Sequence, residues 1–470
     1  MRHGAASRPA AIAQLCASSR VLGRFAAAGA CLGLRAQAAP WERAPGGLGD
    51  LSSMQGIGRR AFVGLAGAAW GAAGTARPGH AQAPAQEIRL GAIFPLSGPS
   101  GLLGDECFRG VELAVEERNA AGGIAGRAIR LVRADAPDEA AASHEARRLS
   151  QGTDRVAAFL GSFATPIALP ASQVAELAGI PYFELGALAD AVTERGFRWI
   201  FRLSPRAADF AATSIDAVTG IVAPSLGVAP DALRLAILHE EAAGGQSVGA
   251  AQEALIRVRS LTLVERVAYA PRPADLTAVV NRLRGQAAQV VLHCGAPGDE
   301  VALFRALRDA SWRPSMVIGT AGGYGLTESA RSIGDDMLGT MSADWTPFEV
   351  NERIAPGARA FPDLYLRRYG AEPRSAHGLA AYAGARVALD ALHRAGSTER
   401  DRIRAAVQAT DLAEGTTPAG WGVRFDDRGQ NLRAAPILCQ WQAAPAGGLR
   451  QVAIGPAAAA VADALPRLGG

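Results

Sequence analysis

The sequence predicts an α/β fold with doubly wound parallel sheets, and three observations support this. Short apolar runs alternate with longer segments whose apolar residues recur at helical spacing, and this order repeats along the body of the chain. The chain has 470 residues, 49% hydrophobic and 20% charged, which is enough for two domains. The first predicted strand and helix are joined by a Gly/Ser/Pro loop, the position at which open α/β sheets bind ligands.

The segment at residues 88–124 organises the rest of the chain. Its apolar run at residues 88–93 is typical of a buried strand, and the apolar residues that follow the loop recur at helical spacing. The loop itself, residues 95–104, ends at a predicted helix N-terminus, where backbone N–H groups can meet a polar or anionic group. Gly122 and Gly123 predict the end of that helix.

The same alternation continues downstream. Further strands are predicted at residues 128–135, 156–161, 180–185, 233–239, 261–270, 290–294 and 316–320. Helices are predicted at residues 139–151, 167–178, 247–257, 275–286 and 301–310. Residues 361–396 predict a helix pair, and residues 421–441 predict a terminal strand pair with its turn at residues 426–429.

Charge and motifs exclude several functional classes. Residues 84–470 hold 39 Arg and 42 Asp or Glu, so the pI near 9.0 belongs to the N-terminal segment and the body has no nucleic-acid footprint. The cysteines of the body are far apart and predict buried small residues rather than disulfides or a metal site. The sequence has no P-loop, no dinucleotide fingerprint and no GxSxG elbow, which argues against an enzyme. We therefore expect no cofactor and no metal.

The N-terminal part predicts export. Arg59 and Arg60 stand in the stretch GRRAFV, which resembles a twin-arginine motif, and a weakly apolar run with a small-residue cleavage region follows. Residues 54–81 are therefore predicted to be a signal peptide that is cleaved after Ala81. Residues 1–53 are predicted to be a mis-called or disordered extension, since an export signal should stand near the N-terminus. The mature protein is expected to be soluble in the periplasm.

Three segments carry a resemblance to a known family. The stretch at residues 88–124, with PLSGP followed by GVELAVEERNAAGGI, resembles the first strand and helix of periplasmic solute-binding proteins of the branched-chain amino acid type. FRWIFRLSP at residues 197–205 and WGVRFDDRGQNLRAAPILCQW at residues 421–441 resemble later parts of the same family. The resemblance covers about residues 87–455. These proteins are the capture subunits of ABC importers.

The resemblance implies the type 1 periplasmic binding fold. Two doubly wound parallel-sheet lobes are then joined by a three-crossing hinge, and their closure traps a solute in the cleft between them. We expect residues 87–204 and 321–428 to form the first lobe, and residues 205–320 and 429–455 to form the second. Residues 456–470 are expected to be a flexible tail.

The resemblance also implies contacts from the first lobe. In amino-acid binders of the family, hydroxyl groups and backbone N–H groups hold the solute carboxylate. Thr165 stands where such a hydroxyl belongs, although it can equally cap the following helix, and Ala187 stands where a backbone N–H contact is expected. Ala189 replaces a usual Ser or Thr. Leu103 matches a pocket-lining position, and Phe163 lies beside the pocket or in the core.

The second half of the implied site departs further from the family. Asp299 stands where an acid binds the ammonium group, or it begins the next helix as an N-cap. Gly244 replaces a usual aromatic residue and leaves room for a bulkier solute. Glu184 replaces a usual Ser. If its side chain faces the cleft, it would oppose a solute carboxylate and favour a cationic or amide solute. Otherwise it points to solvent or pairs with an Arg. Tyr324 lies in a cleft loop or in the core.

The resemblance implies an extracytoplasmic binding protein rather than an enzyme. It would capture a small polar solute, an amino acid or an amide-like compound, and deliver it to an ABC permease in the inner membrane. We expect a monomer. A ligand sensor or amide-responsive regulator with the same fold is the first alternative, against which the export signal argues. An enzyme on a doubly wound scaffold is the second.

Overall fold

The computed structural model describes residues 87–270 and 275–466. The predicted extension, the predicted export segment with Arg59 and Arg60, and the end of the predicted tail lie outside these ranges.

The described residues alternate between strands and helices. The strands are β1 Ile88–Phe94, β2 Ile129–Asp135, β3 Ala158–Gly161, β4 Tyr182–Glu184, β5 Ile200–Arg202, β6 Arg234–Glu240, β7 Thr262–Tyr269, β8 Val290–Cys294, β9 Met316–Thr320, β10 Met341–Asp344, β11 Asp411–Leu412, β12 Val423–Arg424, β13 Ile437–Ala443 and β14 Leu449–Gly455. The helices are α1 Gly101–Ala120, α2 Glu139–Leu149, α3 Thr165–Ala178, α4 Ala191–Glu194, α5 Ala207–Ala217, α6 Ala223–Leu226, α7 Ala243–Val258, α8 Thr277–Gly285, α9 Asp299–Asp309, α10 Thr327–Ile333, α11 Phe361–Tyr369, α12 His377–Ala395 and α13 Arg400–Gln408.

The first lobe is built on a five-stranded parallel sheet with the order β2-β1-β3-β4-β5. The chain moves from β1 to one side and then to the other, which is the doubly wound arrangement that the sequence predicts. Helices α1 and α12 pack together over one face of this sheet, and α2 and α3 pack over the other. Strand β1 is an interior strand covered on both faces, so its sequence is a nearly continuous apolar run.

The second lobe is built on a seven-stranded sheet with the order β14-β13-β10-β9-β8-β6-β7. Strands β6 to β10 pair in parallel, whereas β13 pairs antiparallel with both β10 and β14. Helices α5 and α7 pack against each other, as do α8 and α9. Buried residues of β6, β8, β9, α8 and α9 form the main core of this lobe.

The chain passes between the lobes three times, after β5, after β10 and after β12. The first and third passages run side by side and are joined by two backbone hydrogen bonds. The Arg202 N–H donates to the Gly429 carbonyl at 2.8 Å, and the Asn431 N–H donates to the Arg202 carbonyl at 3.0 Å. The predicted fold class, with two parallel-sheet lobes and a three-crossing hinge, is confirmed.

Two predicted boundaries differ from the structure. Strand β10 pairs with β9 and β13, so residues 321–344 belong with the second lobe and not with the first. The predicted strand pair at residues 421–441 is also displaced: β12 has two residues and pairs with β11, while the antiparallel pair of the second sheet is β13 with β14. Local β-propensity does not identify the pairing partner of a strand.

The predicted flexible tail is packed in its described part. Ala459 is fully buried in a cluster that packs residues of α11 and α12 together with Cys439 of β13 and Ala453 of β14. Further along, the Leu465 N–H donates to Gln440 Oε1 at 2.8 Å, and Gln440 Nε2 donates to the Leu465 carbonyl at 3.0 Å. Residues 456–466 therefore lie against strand β13, and the expectation of a loose tail is wrong for them.

Candidate functional site

The two lobes meet where the carboxyl ends of their parallel strands face each other. The loop after β4 contacts helix α7 directly: the Asp190 N–H donates to Ser247 Oγ at 3.1 Å. Leu188, from the same loop, packs against Val248 and Cys294 of the second lobe. Loops at the carboxyl ends of β3, β4, β6 and β8 thus surround one region, which is the expected place for a ligand in this architecture.

Thr165 lies at the contact between the two lobes. Helix α3 begins at Thr165, but the hydroxyl does not cap the helix; Oγ1 accepts the Ala189 N–H at 3.2 Å and so joins the loops after β3 and β4. A Cβ added to Gly244 would stand 3.3 Å from Thr165 Oγ1. The missing side chain at Gly244 therefore lets the two lobes approach each other. The space that we predicted for a bulkier solute is occupied by Thr165 of the first lobe.

Glu184 neither points to solvent nor pairs with an arginine. Its side chain is 0% exposed. Oε1 accepts four backbone N–H groups, from Phe163 at 3.1 Å, Leu185 at 3.0 Å, Gly186 at 2.8 Å and Ala187 at 2.8 Å. Oε2 accepts the Ser162 N–H at 2.8 Å and lies 3.2 Å from Ser162 Oγ. Burial raises the pKa of Glu184, and the backbone donors oppose that shift.

Arg202 supports the loop after β4 from behind. The guanidinium is fully buried, and Nη1 donates to the carbonyl groups of Ala187 at 3.1 Å and Ala189 at 2.6 Å. Nε donates to Gln430 Oε1 at 2.6 Å, which ties the loop to the hinge. Burial lowers the pKa of Arg202 to about 10, so the side chain stays charged at neutral pH.

Asp299 lies at the second-lobe side of this region and is the first residue of α9, after the N-cap Gly298. Asp299 Oδ2 accepts the Ala296 N–H and the Tyr269 hydroxyl, both at 2.9 Å. Burial raises the pKa of Asp299, and the Tyr269 hydroxyl works against that shift. The N-cap alternative is therefore wrong, and Oδ2 is held by donors from its own lobe.

Asp299 stands at the end of a hydrogen-bonded chain that links β7, β8 and the turn after β9. Tyr269 Oη lies 2.8 Å from His293 Nε2, and His293 Nδ1 lies 2.6 Å from Tyr324 Oη. Burial lowers the pKa of His293 to about 3, so the ring is neutral. Because Tyr269 donates to the Asp299 carboxylate, we assign Nε2 as the protonated ring nitrogen and Tyr324 as the donor to Nδ1. All three donors then point towards Asp299.

Glu240 is a site residue that the sequence reasoning missed. It ends strand β6 and is half-buried, and burial together with the charge of Asp299 raises its pKa to about 7. A Cβ on Gly245 would lie 2.7 Å from Glu240 Cγ, so Glu240 stands beside the first turn of α7. The available signal was its position directly after the apolar run at residues 233–239, at the carboxyl end of a parallel strand.

The remaining predicted residues are less directly placed for a ligand. Leu103 is 0% exposed within α1. Phe163 is half-buried and packs edge-on against His377, with ring centroids 5.9 Å apart. Tyr324 belongs to the core of the second lobe, as its alternative reading predicts, and acts on Asp299 only through His293.

The structure gives two further findings on the described residues. Across residues 87–270 and 275–466, no group of three or more His, Cys, Asp or Glu is arranged to hold a metal ion. In the same ranges, each helix is too short or too polar to cross a membrane. A groove of about 810 Å³ on the outer face of the first lobe, between α2 and α3, lies apart from Thr165 and Asp299.

Comparisons with known proteins agree with this architecture. The profile of the family described as periplasmic binding protein matches residues 87–444. The Leu/Ile/Val-binding protein homolog 7 of Brucella suis is 39% identical over 362 residues, which cover 77% of this chain and 90% of the relative.

Solved structures show the same fold with different bound compounds. The substrate-binding protein LivJ of Streptococcus pneumoniae, in complex with isoleucine, is 19% identical with a TM-score of 0.65, covering 79% of this chain and 100% of LivJ. A solute-binding protein of an ABC transporter from Rhodopseudomonas palustris, in complex with 3,4-dihydroxybenzoic acid, is 19% identical with a TM-score of 0.67. The match covers 82% of this chain and 99% of that protein.

Proposed function

The chain belongs to the periplasmic binding protein family, and from this premise we propose that it captures a small polar solute between its lobes and delivers it to an ABC permease in the inner membrane. The solute class is an amino acid or an amide-like compound. Export through the predicted signal with Arg59 and Arg60, a periplasmic location and a monomeric state are parts of the same proposal.

One observation carries the proposal: polar groups of both lobes converge where the lobes touch. The first lobe contributes the hydroxyl of Thr165, and the second contributes the carboxyl groups of Asp299 and Glu240. Asp299 Oδ2 is held by two donors, so the carboxylate is positioned before a solute arrives. A hydroxyl on one lobe and an oriented acid on the other suit a solute with a hydrogen-bonding end and a cationic or N–H donor end.

The histidines near the lobe contact support a role in capture rather than in catalysis. The described residues near the contact include buried histidines, but His293 is hydrogen-bonded on both ring nitrogens to tyrosines, and His239 is bonded to its neighbouring carbonyl and to Arg266. Neither is positioned as a base next to a nucleophile. A two-lobed cleft with prearranged polar groups is suited to holding a solute and releasing it unchanged.

Two experiments test the proposal. The full chain is expressed in a Gram-negative host and the cell fractions are separated; recovery in the periplasm is expected, whereas a cytoplasmic protein would favour the regulator. Calorimetry with amino acids, amides and amines then measures binding. Thr165→Ala and Asp299→Asn are each expected to weaken the best solute about tenfold or more, because each removes a polar contact to it. Unchanged affinity in both variants would contradict this site.

A further inference from the structure

Glu184 is a carboxylate enclosed by the protein's own backbone. We name the five N–H groups that surround it the amide nest; they belong to Ser162, Phe163, Leu185, Gly186 and Ala187. The Ser162 hydroxyl also lies near Oε2 and has the Ala164 carbonyl as a second partner at 3.2 Å. Every backbone contact at the two oxygens comes from a donor, so this arrangement favours the ionised form of Glu184.

The amide nest lies in the wall of the candidate site. Its N–H groups come from the loops after β3 and β4, which touch each other: a Cβ on Gly186 would stand 3.0 Å from Phe163 Cα. The same two loops provide Thr165 and Ala189, which contact the second lobe or each other. Convergent backbone N–H groups of this kind are what proteins use to capture carboxylates.

The donors that a solute carboxylate would need are thus already used. The Ala187 N–H, predicted for such a contact, donates to Glu184, and the Ala189 N–H donates to Thr165 Oγ1. The nearby guanidinium of Arg202 is directed at the carbonyl groups of residues 187–189 and at Gln430. Across the lobe contact stand two more acids, Asp299 and Glu240.

We propose that Glu184 is a specificity residue that occupies the amide nest from inside the protein, so that the cleft takes solutes with an amine and no carboxylate: simple amines and amino-acid amides. The amine meets Asp299 and Glu240, and the neutral end meets the Thr165 hydroxyl. A solute carboxylate finds no free donor in the amide nest and is repelled by the Glu184 charge. This inference rests on the proposed function, because it names the solute class of the same site.

The first test uses the unmodified full chain with matched solutes. Glycine, valine, leucine and phenylalanine are each compared by calorimetry as free acid, amide and decarboxylated amine. In the best-binding series, the amide or amine is expected to bind at least about tenfold more tightly than the acid. An acid that binds as tightly as its amide overturns the inference and leaves the proposed function intact.

If none of these compounds binds, the inference is also overturned, because the inference states that amines and amino-acid amides are the solutes. The proposed function then fails only if native mass spectrometry of the periplasmic protein finds no co-purified small molecule. The two failures are therefore distinguishable.

The second test changes Glu184. Glu184→Ser empties the amide nest while keeping a polar side chain, and the ratio of acid to amide affinity is expected to shift towards the acid by about tenfold or more. The matched control is Glu106→Gln, another buried acid of the first lobe, which contacts Tyr365 and not the nest. An unchanged ratio in a folded Glu184→Ser protein contradicts the role of Glu184. If that variant fails to fold, the solute series on the unmodified chain decides.

Discussion

The acids of the candidate site differ in how their charge is compensated. Glu184 is surrounded by backbone donors, and Asp299 accepts the Tyr269 hydroxyl and the Ala296 N–H. Glu240 has neither kind of support: its pKa rises to about 7 through burial and the nearby Asp299 charge. Glu240 is therefore an acid whose charge changes near neutral pH.

Glu240 is expected to make the stability of the unmodified chain depend on pH, relative to a variant that lacks this carboxyl group. Its pKa rises from 4.5 to about 7 on folding, so the folded state holds a proton that the unfolded state releases between these values. The contribution of Glu240 therefore becomes unfavourable as pH rises through that window. Glu240→Gln is expected to match the unmodified chain near pH 4, below both pKa values, and to be more stable by roughly 1–3 kcal/mol at pH 8.

Denaturant unfolding of both proteins at several pH values measures this difference. The comparison cancels the pH dependence of other buried acids, such as Glu106 and Asp344, whose pKa values burial raises to about 7 and about 6. A stability difference that stays constant across the pH range would show that Glu240 does not titrate there.

At the residue scale, the sequence indicates which residues are candidates for the site better than it indicates their hydrogen-bond partners. The family resemblance predicts that Thr165 and Asp299 lie near a common site; in the structure Thr165 lies against Gly244 of the second lobe, and Asp299 accepts the Tyr269 hydroxyl of its own lobe. The partners of Glu184 could not be predicted, because they are backbone N–H groups from two loops that meet only after the sheet has formed. Glu240 was overlooked even though a charged residue at the end of a buried parallel strand is a recognisable signal.

At the scale of elements, helix α7 is the part of the second lobe that meets the first. Gly244 and Gly245 occupy its first turn, and Gly245 is close to the backbone of Glu240: an added Cβ would lie 2.6 Å from the Glu240 carbonyl oxygen. A glycine inside a helix lowers its intrinsic stability, so two in one turn indicate a packing requirement. Here the requirement is the approach of Thr165 on one side and Glu240 on the other.

Gly244→Leu tests whether this approach is needed for binding. A Cβ there is already 3.3 Å from Thr165 Oγ1, so a leucine side chain is expected to keep the lobes apart. Solute affinity should fall about tenfold or more, with a larger radius of gyration in X-ray scattering in the presence of solute. Gly285→Leu is the control, since a Cβ at this last residue of α8 meets nothing within 4 Å. Equal affinity in the two variants would contradict a role for α7 in closure.

The elements themselves were largely predictable, and their errors have a common cause. Apolar runs identified β1, β6, β8 and β9 because strands covered on both faces have nearly continuous apolar sequences. No strand is predicted at residues 341–344, which form β10 and lie in the range assigned to the first lobe, and β13 is predicted to pair with the wrong partner. Pairing depends on how the whole chain returns to the sheet, which the local pattern does not encode.

At the scale of the whole molecule, the hinge and the site are one hydrogen-bonded unit. Gln430, on the third passage between the lobes, accepts from Arg202 Nε at 2.6 Å and donates to the Ser204 carbonyl at 3.2 Å on the first passage. Arg202 in turn holds the carbonyl groups of Ala187 and Ala189. A change at the hinge therefore reaches the loop that contacts the second lobe.

Gln430→Ala is expected to act on both stability and binding. Gln430 is 3% exposed, and its loss leaves the buried Arg202 and the Ser204 carbonyl each short of a partner, which costs about 1–3 kcal/mol of unfolding free energy. Solute affinity should fall as well, because Arg202 then orders residues 187–189 less firmly. The control is Gln408→Ala: Gln408 is half-buried, and its side chain bonds to the Asp426 carbonyl at 3.2 Å and not to Arg202 or to residues 187–189. Denaturant unfolding and calorimetry of both variants separate the effects. A Gln430→Ala protein that loses stability but binds as before would show that the hinge stabilises the fold without positioning the site.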